Sequence, residues 1–170
     1  SLGNICAGRR VWGRHARRAA QIITMRQVFS MKLLIDTIGG EEALRKLVND
    51  FYDIIEVVPE GDTLRKLHLR GHGLDHVREE QFNFLSGFLG GRRYYQEKHG
   101  HMDVKKMHVH IPISEQDAED WLTCMDYALE KNNLRGGDVD RLRGVFRRIC
   151  LQLVNGLGEW GVAPELSQQS

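Results

Sequence analysis

Four stretches of this chain repeat apolar residues at intervals of three and four, and no segment sustains an alternation of period two. That pattern admits helices and leaves no material for a sheet. In the first stretch Leu44, Leu47, Val48, Phe51, Tyr52, Ile55 and Val58 share a face, with acids at the start from Glu41 and Pro59 as the stop. The second runs from about Leu74 to Leu89, carries Val77, Gln81, Phe84, Leu85 and Phe88 on one side, and ends at Gly90-Gly91. Ser114 caps the third, whose inner face is Ala118, Trp121, Leu122, Met125 and Leu129, ending near Asn132-Asn133. The fourth opens at Gly136-Gly137-Asp138 and carries Val139, Leu142, Val145, Phe146, Ile149, Leu153 and Leu157. The expected fold class is all-α, with four substantial helices around one core.

A chain of 170 residues can bury such a core as one domain without staples. Its 24 basic and 23 acidic residues nearly cancel, so net charge gives no reason to expect nucleic acid as a partner. The charge is uneven, however: Arg9, Arg10, Arg14, Arg17, Arg18, Arg26 and Lys32 precede the first acid, Asp36. Residues 1–31 read as a basic extension, either an organelle transit peptide or a start placed upstream of Met25 or Met31, the second being the simpler reading. Residues 32–157 are the expected domain and 158–170 a tail. Cys6, Cys124 and Cys150 show no C-x-x-C spacing, which fits a reducing, cytoplasmic setting. Apolar runs are too short to span a membrane.

The stretches between the helices break the symmetry of a simple bundle. Leu33 to Ile38 is closed by Gly39-Gly40, one helical turn is expected around Thr63–His68, and residues 92–113 read as irregular to short-helical. Twenty-odd irregular residues inside a small helical domain need a job, and this favours a globin-like arrangement over equal antiparallel rods. That segment holds four of the eight histidines, His99, His101, His108 and His110. His108 sits in the last turn before Val109-His110-Ile111-Pro112. A bond from its second ring nitrogen to a carbonyl three or four residues back would set its tautomer and prepare it as a metal ligand. Imidazole suits iron, zinc, copper and nickel alike. A zinc site from the two H-x-H steps lacks a cysteine or acid at ligand spacing, and His99, His101 and His110 read as surface or packing residues.

Three polar groups fall on inner faces: Tyr52, Gln81 and Trp121, each on a different helix. A buried amide without a partner costs about 1–3 kcal/mol. Three inward donors from three helices suggest one shared polar pocket, where they would stabilise partial negative charge on a metal-bound diatomic.

Taken in order, Ile38-Gly-Gly-Glu-Glu-Ala-Leu, Asp50-Phe-Tyr52, Phe84-Leu-Ser-Gly-Phe-Leu-Gly-Gly91 with Tyr95 beyond it, His99-Gly-His101, His108 and Asp120-Trp-Leu-Thr-Cys-Met125 resemble the truncated haemoglobins of the second group. The resemblance covers about residues 33–155. It implies a two-over-two helical sandwich around haem b, with His108 as the iron ligand. It further implies that Tyr52 and Trp121 are distal hydrogen-bonding residues and that Gln81 is a polar distal-helix residue. Phe84 and Leu85 would pack on the porphyrin, and Tyr95 and Lys105 would face the propionates. Val77 stands at the usual globin distal histidine and cannot replace its bond. His68 stands where the family has an aromatic ring against the haem, often tyrosine. This chain departs from the family's common prolines at Met102 and His110, and from an arginine before the proximal histidine at Met107.

The function implied is reversible binding of dioxygen or another diatomic ligand, as a monomer or homodimer. The alternative is a redox enzyme acting on nitric oxide, peroxide or sulfide with an external reductant. A non-haem helical metal protein is a further, weaker reading. His68, His72 and His76 recur every four residues, which leaves the sixth ligand of ferric iron open between water and one of these rings, although Gly71 and Gly73 interrupt a continuous helical face and count against the histidines.

Overall fold

Glu41 and Glu42 occupy the first turn of the helix that organises the domain, favourably placed for its macrodipole. In a computed structural model that describes residues 33–69 and 73–155, this helix is α2 (Glu41–Val57), preceded by α1 (Leu34–Ile38). Then come α3 (Gly61–Leu69), α4 (Leu74–Phe88), α5 (Tyr94–His99), α6 (Val104–His108), α7 (Glu115–Lys131) and α8 (Gly137–Leu153). No strand occurs among the described residues. The expected basic extension at 1–31 and the tail at 158–170, with Leu157, Gly71, His72 and Cys6, lie outside them.

The layers follow from the stripes. α2 lies against α4 on one side and α7 on another, while α7 packs along α8. Two pairs of long helices therefore face each other, α2 with α4 and α7 with α8. Leu44, Leu47, Val48, Phe51, Tyr52 and Ile55 of α2 are buried at the centre. Each such side chain contributes about 1.5–3 kcal/mol relative to exposure. The opposing helices add Met125, Leu129, Leu142 and Phe146. Three small residues, Cys124, Ala128 and Cys150, complete these inner faces; their weak hydrophobic signal kept them out of the sequence pattern.

The helix ends are fixed by local chemistry. Ser114 and Asp117 form a reciprocal capping box at the start of α7. The single turn expected at Thr63–His68 is in fact a nine-residue helix. Asp62 in its first turn pairs with Arg65 and Lys66 at 2.7 and 2.6 Å, which extends the turn in both directions. Gly61 permits α3 to start where it does, because a Cβ there would lie 2.1 Å from the Ile55 carbonyl oxygen. A polar clasp joins α2 to the end of α7: the Asp50 carboxylate accepts from Lys46 at 2.6 Å, Lys131 at 2.8 Å and Asn132 at 2.8 Å.

Candidate functional site

The ring of His108 closes α6, and its one fixed bond decides which nitrogen it offers. Nδ1 lies 2.7 Å from the Val104 carbonyl, four residues back. A carbonyl can only accept, so Nδ1 carries the proton and Nε2 keeps its lone pair. Burial pushes the imidazole below its ordinary pKa, the Val104 bond opposes that fall, and the neighbouring His110 adds to it. A neutral imidazole of set tautomer is what a metal ligand requires.

Both ends of α6 are tied down. Asp103 caps its start by accepting from the Lys106 amide at 3.0 Å. Beyond His108 the chain is held by Asn155, whose Nδ2 donates to the Ile111 carbonyl at 2.8 Å and whose amide donates to that of Ile113 at 3.0 Å. A cleft of about 480 Å³ opens beside His108, bordered by Lys105, Gln152 and Leu153.

Tyr52 is fully buried, and its hydroxyl donates to Gln81 Oε1 at 2.7 Å. The Tyr52 donor is thus satisfied by the acceptor end of the Gln81 amide. The Gln81 amide nitrogen remains, buried with no partner among the described residues. Burial strongly disfavours the Tyr52 phenolate, so its proton stays in place. Trp121 stands between Phe51 and Phe146, with ring centroids 5.0 and 5.6 Å away.

His68, in the last turn of α3, sets its ring edge-on to Tyr52 at 5.5 Å. Its Nδ1 lies 2.8 Å from the Leu64 carbonyl. Burial lowers its pKa, the Leu64 bond works against this, and the charge of His108 acts on it in the same direction as burial. His76, on the separate helix α4, is exposed.

The side chains clustered with Tyr52 are apolar. Phe84 and Leu85 are buried on α4, and Val77 packs against the core. Phe84 stacks on Phe88 at 5.7 Å and meets Tyr95 edge-on at 5.8 Å. Tyr95 in turn lies over His99 at 4.3 Å, and His99 bonds to Glu80 at 2.6 Å. Lys105 is exposed at the rim. Among the described residues no three His, Cys, Asp or Glu side chains are grouped to hold a metal ion, so the zinc reading gains no support there. A haem needs only one imidazole from the protein.

The match that decides the family covers residues 33–155, which fit the model described as bacterial-like globin. The chain belongs to the bacterial-like globin family. Over 116 residues this globin is 32% identical to the group 2 truncated hemoglobin YjbI of Bacillus subtilis, covering 68% of this chain and 84% of that one. A truncated oxygen-avid haemoglobin from Bacillus subtilis superposes with a TM-score of 0.64 at 31% identity, over 73% of this chain and 100% of the other. The cold-adapted truncated hemoglobin of the Antarctic bacterium Pseudoalteromonas haloplanktis gives 0.67 at 29%, over 73% and 98%. The fold is the all-α truncated globin fold.

Globin membership implies a haem cofactor, and this globin's residues fit one. His108 keeps the lone pair on Nε2, Gln81 holds a buried donor unpartnered among the described residues, and α4 supplies apolar side chains to the core. Asn155 and Gly61 escaped the sequence reading. Neither carries a signal of its own, since each acts on a backbone carbonyl distant along the chain or in the preceding helix.

Proposed function

We propose that this globin holds haem b through His108 Nε2 and binds dioxygen or another diatomic ligand beneath Gln81. Haem iron supplies the coordination site and places partial negative charge on the ligand. The protein's part is to hold the iron from one side and to meet that charge with a donor from the other. One observation carries the reading: the Gln81 amide nitrogen is buried and unpartnered. Such a group is tolerated where a ligand completes its bonding.

Tyr52 orients that donor. By occupying Oε1 it fixes the plane of the amide and turns Nε2 away from itself. Trp121, wedged between Phe51 and Phe146, and His68 wall the same space, and Phe84 and Leu85 give the porphyrin an apolar face. Tyr95 and Lys105 stand toward the rim, where propionates would lie. Several hundred Å² of buried porphyrin surface contributes roughly 5–10 kcal/mol at about 25 cal/mol per Å².

The test is a hemin titration followed by absorption spectroscopy. Wild-type protein is expected to develop a stoichiometric Soret band, and His108→Ala to abolish or grossly shift it. A colourless wild type, or a spectrum indifferent to His108→Ala, would overturn the proposal.

A further inference from the structure

His68 and His108 are prepared in the same way. Each lies in the last turn of its helix, and each has Nδ1 directed at the carbonyl four residues back, Leu64 at 2.8 Å and Val104 at 2.7 Å. In both rings the proton is therefore held on Nδ1 and the lone pair left on Nε2. Neither ring is free to turn away, because His68 is also packed edge-on against Tyr52. The bond satisfies the buried ring N–H and at the same time leaves Nε2 as the acceptor. It is the second-sphere bond by which proteins fix an imidazole for a metal.

Resting on the haem reading above, we propose that His68 Nε2 is the second axial ligand of the iron whenever no external ligand is present. The resting protein is then bis-histidyl. An incoming diatomic displaces one imidazole nitrogen: the iron–Nε2 bond of His68 breaks as the new bond forms, with no change in electron count. The displaced ring stays neutral and keeps its Leu64 bond. Of the three histidines spaced by four, His76 is exposed on the separate helix α4, and His72 lies outside the described residues.

The occluded site tunes affinity. If the open state is populated one part in ten, the apparent affinity for a diatomic falls about tenfold.

The experiment is low-temperature electron paramagnetic resonance and optical spectroscopy of the ferric, hemin-loaded protein in buffer without imidazole, azide or cyanide. Wild type is expected to be low-spin with two axial imidazole nitrogens. His68→Phe, which keeps an aromatic ring in place, is expected to be high-spin with an intact Soret band. In the ferrous state the variant should bind carbon monoxide about tenfold faster. A high-spin wild type overturns the proposal, as does a low-spin signal that survives His68→Phe. Should His68→Phe fail to fold, His76→Leu decides: the low-spin signal must persist in it, and its loss assigns the ligand elsewhere. Failure of the haem reading looks different, since then no Soret band forms or His108→Ala leaves it unchanged.

Discussion

The Tyr52 hydroxyl donates to Gln81 Oε1 at 2.7 Å, so under the proposed function the tyrosine would act on a bound ligand through the glutamine. The two residues lie 29 positions apart on α2 and α4, and their bond joins the two helices. What the pair leaves unpaired among the described residues is the buried Gln81 amide nitrogen.

Gln81→Leu is therefore expected to speed dioxygen dissociation more than Tyr52→Phe does. Loss of one hydrogen bond worth about 1–2 kcal/mol corresponds to a rate increase of about tenfold or somewhat more. Because one residue acts through the other, the double variant should match Gln81→Leu to within about threefold. Stopped-flow displacement measures all three. Additive effects of the single changes would show that Tyr52 contacts the ligand independently.

The same pair makes a prediction for the protein without haem. Removing both partners together also removes the orphaned amide, so the Tyr52→Phe, Gln81→Leu apo-protein should be more stable than wild type by about 1 kcal/mol. Gln81→Leu alone strands the Tyr52 hydroxyl in the core and should gain less. Urea denaturation of the three apo-proteins gives the order.

Asp50 predicts an acid limit. Burial opposes its ionisation, but hydrogen bonds from Lys131, Lys46 and Asn132 outweigh this and hold the carboxyl at about 2, against 3.8 in an open chain. A depressed carboxylate stabilises the fold above the open-chain value and loses that contribution as pH falls from 3.8 toward 2. The contribution at neutral pH is about 2 kcal/mol. Asp50→Asn should destabilise the protein by that order at pH 7, and the gap should narrow as pH falls from 3.8 toward 2 in unfolding followed by circular dichroism.

Gly61→Ala forces a methyl group to within 2.1 Å of the Ile55 carbonyl oxygen, which backbone must move to relieve. The expected cost is about 1–3 kcal/mol. The displaced element is α3, which carries His68, so the ferric spectrum of the hemin-loaded variant should change together with its melting temperature. A lowered Tm with an unaltered spectrum would separate the helix position from the site.

The long helices were legible because each carries a full stripe, and Ser114 announced α7 by its capping chemistry. The bond of the His108 ring to a carbonyl four residues back was legible as well, since the histidine closes a short helical turn just before Pro112. The length of α3 was not, because its apolar residues are few and its start depends on a contact between Gly61 and the preceding helix. Nor could the pattern show that Tyr52 and Gln81 bond to each other. Inward direction is a property of one helix, whereas partnership depends on how two helices are set side by side. Asn155 lay at the edge of what looked like a tail, and its value comes from carbonyls more than forty positions away.

Clamped by Asp103 in front and Asn155 behind, the segment bearing His108 has little freedom to travel along the axis of the bond it makes. Globins that communicate between subunits rely on packed elements able to shift from one arrangement to another. In the proposed complex the support behind His108 would be held in place, and tuning of affinity would fall to the other residues assigned to the ligand. Changes in affinity, whether by natural variation or by engineering, are accordingly expected at Tyr52, His68 and Gln81, with His108 kept.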